Sequence, residues 1–320
     1  MTPTGQTQTT TTDYLDTLKG QSLDMLARGW YPNLFFTLLR VLGILSNFGI
    51  MLVIAKTKEL HNKSKFVIFS HAFAETLYAL FAFINSARKL LHSSLNKPDI
   101  IESLSCTTFL APLLVSSKVV VVIILVLCLD RLAAIALPIR YKLLNSVRYI
   151  AGINILCWAF VLLHLPFLFP YHNANAVLPI CHYSLAISPK YRSYEGIESN
   201  VFIVLTIAVS CLTVGIVSCK YWRRNNNQRM GWSRRMQMGA FKMMVTIGCI
   251  YVLCWGISIL TQMVLRRYDP VRRATIKPYV ALLDAVNTSS HFIVYFALGK
   301  QFREACINLY ACNCVKRLCG

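Results

Sequence analysis

Asp130 and Arg131 stand side by side at the end of an apolar run, residues 113–129, in which Lys118 is the only charge. An adjacent acid and base at the mouth of an apolar helix either stops the helix or serves a site that uses the charges. Cys106 precedes Arg131 by 25 positions. At ~1.5 Å per residue a helix sets the two ~37 Å apart, about the depth of a bilayer from one interface to the other. Arg40, Glu75, Asp284 and His291 also fall inside apolar runs. Within a membrane such groups pair with one another, face a cavity or line a path for ions. The histidines His71, His164 and His291 lie on separate runs without the close pairing that metal-dependent enzymes show, so no enzyme activity, cofactor or metal is expected.

The elements that must position these side chains are membrane spans. Hydrophobic residues make up 56% of the 320-residue chain and its mean hydropathy is +0.52, too apolar for one soluble domain. Seven runs have the ~20 residues that a ~30 Å hydrocarbon core requires. They are residues 32–55, 66–87, 107–129, 149–169, 197–219, 241–265 and 276–298. His71 and Glu75 make the second the least continuous. Residues 1–31 are polar and threonine-rich without the apolar core of a signal peptide, and read as a disordered extracellular tail. Residues 32–298 form the spanning domain, and 299–320 a cysteine-rich cytoplasmic tail.

The net charge of +20 is distributed as a membrane protein distributes it, not as a nucleic-acid-binding one. With the N-terminus outside, inner loops and tail collect Lys56, Lys58, Lys63, Lys65, Arg140, Lys142, Arg148, Arg223, Arg224, Arg234, Arg235, Lys300 and Arg303. The third outer loop, with Arg266, Arg267, Arg272, Arg273 and Lys277, is the main exception; the remaining bias favours N-out, C-in, with the basic side toward anionic lipids and a cytoplasmic partner. Of the cysteines, Cys128, Cys157, Cys211, Cys219, Cys249 and Cys254 fall within spans and read as small packing residues. Cys306, Cys312, Cys314 and Cys319 crowd the tail near Lys316 and Arg317 and suit palmitoylation, with metal binding by Cys312-x-Cys314 the weaker alternative because no histidine lies near. Phe302, Cys306 and Leu309 recur at helical spacing, so the start of the tail reads as a short amphipathic helix on the inner leaflet.

Leu129-Asp130-Arg131-Leu132, continued by Pro138-Ile139-Arg140-Tyr141, resembles the inner end of the third helix of rhodopsin-like G-protein-coupled receptors. The resemblance extends from about residue 32 to 303 and takes in Asn47, Glu75, Cys106, Trp158, Trp255 and Tyr295. With His71-Ala72-Phe73-Ala74-Glu75 and Phe292-Ile293-Val294-Tyr295-Phe296, it is most similar to the nematode serpentine chemoreceptors of the Srsx class. It implies an all-α membrane protein, a seven-transmembrane bundle with a short amphipathic helix after the last span. It also implies a multi-pass plasma-membrane receptor that passes binding of an extracellular small molecule or peptide to a heterotrimeric G protein.

By that resemblance Cys106 and Cys181 form a disulfide, and Asp130, Arg131, Trp255 and Tyr295 serve activation and coupling. Asn47, Glu75, Asn287 and His291 make a polar network, at positions where the family holds water or sodium. Glu75 and His291 are expected in contact, with weak sodium sensitivity because Val120 replaces a serine. The first and seventh helices are neighbours in such a fold, so an Arg40–Asp284 bridge is expected. Leu113 stands where amine receptors carry an aspartate, which disfavours a protonated amine in the usual pose. Leu113, Ser117, Lys118, Trp255 and Asp284 form the candidate ligand pocket, in which Lys118 is half of an ion pair or a contact for an acidic ligand. The chain departs from the pattern at Ile257, at His291-Phe292 and in a fifth span without proline. The hinges those prolines supply elsewhere then fall to another position such as Gly248 or Gly256.

A transporter or channel using the intramembrane charges is the alternative. It lacks support from any repeat relating two halves or from paired Gly/Pro-broken spans.

Overall fold

The computed structural model describes residues 11–58, 63–168, 176–187, 189–225 and 270–318, with scattered positions between 246 and 264. The sixth expected span, including Trp255, Gly248 and Gly256, therefore lies almost wholly outside the described residues, as does Cys319. Among the described residues, 4 helices are long and apolar enough to cross a membrane, and a shorter apolar helix covers Val147–Leu162. The chain is an all-α membrane protein.

Helix α1 (Thr11–Lys56) shows why its sequence folds as it does. Arg40, Gly43, Asn47, Ile50 and Ile54 recur every three or four residues and are buried, while Leu38, Leu42, Leu45 and Phe48 form the opposite stripe and are exposed. In lipid that exposed apolar stripe is the favourable one. The disorder expected of residues 11–31 is corrected here. Helix continues without a break from Thr11, through Pro32. Leu18, Ser22 and Leu26, each four apart, are buried, and the Asp99 backbone N–H donates to Ser22 Oγ at 2.8 Å. Ion pairs Lys19–Asp16 (2.9 Å) and Arg28–Asp24 (2.8 Å) line its exposed side.

Helix α2 (Lys63–Ser94) packs on α1 and on α3 (Ser103–Ala136). Helix α3 stops at Leu137 because the residue before a proline is pushed out of helical conformation, and Pro138 opens the short helix α4 (Pro138–Leu143). Asn145 caps α5 (Ser146–Leu162), its side chain accepting from the Val147 and Arg148 backbone N–H groups at 3.1 and 3.2 Å. Expected to reach residue 169, this fourth span ends at Leu162, and a 3₁₀ turn at Leu165–Leu168 encloses Pro166.

Strands β1 (Ile101–Glu102) and β2 (Val177–Leu178) form a two-residue antiparallel ladder that carries the chain back over the Cys106 end of α3. A single turn, α6 (Tyr183–Ala186), precedes α7 (Pro189–Asn225), which packs on α3. Helix α8 (Pro270–Leu298) packs on α1, and α9 (Lys300–Leu318) follows at once. Arg303 Nη1 donates to the Ala297 carbonyl at 3.1 Å, satisfying one of the last acceptors of α8. Cys211, Cys219 and Cys249 face outward and are not packing residues; Cys128 and Cys157 are buried.

Close approach of α8 to α1 needs small residues. A Cβ on Gly43 would meet Thr288 Cγ2 at 3.1 Å, and one on Gly49 would meet the Phe292 ring at 3.3 Å. Tyr295, Phe302, Ala305 and Cys306 join Ile50, Val53, Ile54, Val67, Ile68, Ala72 and Leu127 in one apolar cluster. The start of α9 is thereby fastened under the bundle through Phe302 and Cys306, with Leu309 packed against the same cluster, the three residues expected on its apolar side. The thiol of Cys306 is inside that cluster and burial pushes its pKa up, which counts against it as an acyl acceptor.

Candidate functional site

At the Arg131 end, α3 carries the Asp130 carboxylate into the bundle, where it is buried. Arg131 donates to Asp130 Oδ2 from Nε at 3.0 Å and from Nη2. The second oxygen, Oδ1, accepts from the Tyr141 hydroxyl at 2.8 Å and the Tyr149 hydroxyl at 3.0 Å. Tyr141 comes from α4 and Tyr149 from the start of α5, so the carboxylate joins three helices. Such charge-assisted bonds are about twice as strong as neutral ones. The pairing of Arg131 with its neighbour needs only chain adjacency. Tyr149 as a donor was missed, since no local spacing links it to residue 130. Tyr295, one of the expected coupling residues, packs in the cluster that includes Leu127, one turn before Arg131.

Deeper in the bundle α1, α2 and α8 meet on polar side chains. Arg40 is fully buried and forms an ion pair with Asp284. It also donates to Thr288 Oγ1 and to the Tyr78 hydroxyl, both at 3.2 Å, and its guanidinium lies over the Phe36 and Tyr78 rings. Tyr78 in turn donates to Asp284. Asn47 Nδ2 donates to the carbonyls of Gly43 (3.0 Å) and Thr288 (3.1 Å), and Ser46 bridges to Ser289 and Phe292. One turn further along, Glu75 and His291 share the interior with His71. The His71 and His291 rings are 5.0 Å apart, and His71 Nε2 is 3.8 Å from Glu75 Oε1. The expected polar contact between Glu75 and His291 is not a hydrogen bond; each of the two residues meets His71. The four-residue helical spacing of His71 and Glu75 is the sequence signal that places His71 in this group.

Lys118 sits in a separate network. Its ammonium is 2.5 Å from Glu198 Oε2 on α7, and Glu198 Oε1 is 3.1 Å from His164 Nε2. The Tyr194 hydroxyl lies 3.4 Å from the same ring nitrogen, and the Tyr191 ring 5.7 Å from the ammonium. Among the expected pocket residues, Lys118 and Asp284 are therefore committed to different partners on different helices. Ser117 Oγ donates to the Leu114 carbonyl at 2.9 Å, and Leu113 packs beside the cluster around Cys106. Trp255 lies outside the described residues.

At the far end of α3 a disulfide joins Cys106 to Cys181, with Cα atoms 5.4 Å apart. The returning segment is also held by Thr107 Oγ1, which donates to the Ala186 carbonyl at 3.2 Å, and by Ser103 N–H, which donates to Ala176 at 2.8 Å. Asp99, buried beside it, accepts from Arg88 at 2.9 Å and from the Cys181 N–H at 3.4 Å. Arg88 and Asp99 had no sequence signal, because both lie in ordinary span-end composition.

A family model described as "Serpentine type 7TM GPCR chemoreceptor Srsx" matches residues 40–310. A search of curated proteins finds no match.

Proposed function

The chain belongs to the Srsx family of serpentine seven-transmembrane chemoreceptors, and from that membership we propose that it couples an extracellular ligand to a cytoplasmic heterotrimeric G protein through Arg131. The reading sets the chain in the plasma membrane with its N-terminus outside and the Arg131 end toward the cytoplasm. One observation carries it: Arg131 is held by a buried carboxylate whose other oxygen is occupied by two tyrosines from neighbouring helices. Such a cluster is a latch. Opening it frees a guanidinium at the end of the bundle, and freeing it requires only that a ligand favour the open state by a few kcal/mol.

Leu113 offers no counter-ion to a protonated amine, and Lys118 is already neutralised by Glu198. A ligand meeting that network therefore meets a balanced pair, flanked by Tyr191, Tyr194 and His164, which suits a neutral or zwitterionic molecule with hydrogen-bonding groups. Basic residues at the Arg131 end would face anionic lipid.

Arg131→Ala should abolish agonist-driven nucleotide exchange on the G protein at unchanged surface expression. Normal coupling by that variant would defeat the reading, and ligand-dependent conductance in the same membranes would favour a channel.

A further inference from the structure

Two facing helices present matched pairs of metal-ligand side chains where α2 meets α8. His71 and Glu75 are four residues apart on α2, and Asn287 and His291 are four apart on α8, a spacing that stacks side chains on one helix face. His71, Glu75 and His291 are each 1% exposed and Asn287 is 0% exposed. One ligand atom from each of His71, Glu75 and His291 lies within 4.8 Å of the other two.

These atoms lack partners to a degree that a folded interior does not tolerate for nothing. His71 Nε2, both carboxylate oxygens of Glu75, both ring nitrogens of His291, and both amide atoms of Asn287 have no hydrogen-bond partner. The Thr288 hydroxyl lies 3.1 Å from the Asp284 carbonyl and receives Arg40 at 3.2 Å; turned to Glu75 it supplies one bond to one carboxylate oxygen, which leaves the other oxygen, His291 and Asn287 as they are. Each buried unpaired group costs ~1–3 kcal/mol. A proton shared by His71 and Glu75 would satisfy one ring nitrogen and one oxygen, leaving His291 and Asn287 as they are. A cation satisfies the imidazoles and the carboxylate together.

We propose that His71, Glu75 and His291 form a binding site for a transition-metal divalent cation of the Zn²⁺ class, with the fourth position open to water or to the Asn287 carboxamide. The donor set decides the class. Two imidazole nitrogens and one carboxylate suit Zn²⁺ or its neighbours, whereas sodium, magnesium and calcium take oxygen. Ligand atoms around tetrahedral zinc sit ~3.3 Å apart given metal–ligand bonds of ~2.0–2.1 Å, so the three side chains close inward by about an ångström on binding. Glu75 supplies a negative charge, while Arg40 and Asp284 nearby neutralise one another. A bound cation tethers α2 to α8 one turn from Tyr295.

The test uses the full chain in lipid nanodiscs, with Cys312, Cys314 and Cys319 replaced by serine so that tail thiolates do not compete. After chelator stripping and titration with ZnCl₂, the protein should hold one zinc per chain, and its unfolding midpoint should rise. His71→Ala and His291→Ala should each weaken zinc binding by at least ~10-fold. Zinc retained equally by both variants, or a midpoint that sodium raises as well as zinc, overturns the site. Should the variants fail to fold, Co²⁺ on the unsubstituted site decides. Tetrahedral absorption bands without a thiolate charge-transfer band support it, and their absence refutes it. None of these readouts depends on G-protein coupling.

Discussion

Tyr149→Phe removes one hydroxyl from the latch at Asp130 and leaves the ring that packs beside Tyr141. The carboxylate accepts from Arg131 at 3.0 Å on one oxygen, and from Tyr141 and Tyr149 at 2.8 and 3.0 Å on the other. A hydrogen bond to a charged group contributes ~1.5–3 kcal/mol. Tyr149 itself is half-buried, so solvent screening sets the lower end, ~1.5 kcal/mol. If the bond is made only in the resting state, its loss shifts the resting-to-active equilibrium by that amount. An active state populated at ~1% then rises to roughly 10%. Agonist-free nucleotide exchange on the G protein, measured in membranes at matched receptor density, should rise about tenfold on that arithmetic. Tyr141→Phe should act alike. The double variant should fall short of the product, since both hydroxyls share Asp130 Oδ1. Asp130→Asn, which also removes the ion pair, should raise the rate at least as far. Wild-type basal rates in both tyrosine variants, beside an elevated Asp130→Asn, would show that the tyrosines do not hold the latch.

The Lys118–Glu198 pair should be asymmetric: Glu198→Gln strands a half-buried ammonium and should destabilise by ~3–5 kcal/mol, whereas Lys118→Met leaves Glu198 with His164 at 3.1 Å and should cost less. Unfolding midpoints of the two singles and the double test this, and equal losses would argue against His164 as second partner. Cys106→Ala and Cys181→Ala should each remove the ~2–4 kcal/mol that a bond closing a long loop supplies, and surface delivery of the double should be no worse than of either single. Palmitate labelling should survive Cys306→Ala, because that thiol is buried and its pKa raised, and vanish when Cys312, Cys314 and Cys319 are replaced together. Loss of label in Cys306→Ala alone would place the acyl group on the wrong side of this helix.

Among the described residues, the first, second, third and fifth spans and the charges inside them were legible in the chain, because a ~30 Å hydrocarbon layer imposes a length and a composition that no packing partner alters. So were the adjacent Asp130 and Arg131 and the Cys106–Cys181 pair, which depend on neighbours in sequence or on the family pattern. Residues 11–31 misled because their polar composition hides the Leu18–Ser22–Leu26 stripe, which becomes favourable only once Asp99 and the bundle are beside it. Tyr149 at Asp130, Glu198 at Lys118, and His291 beside the His71–Glu75 pair were decided by tertiary structure alone. Helical periodicity says which side chains share a face of one helix. Which faces meet, and at what height, follows from the rotation and depth of whole helices, set by contacts such as Gly43 against Thr288 that no single segment contains.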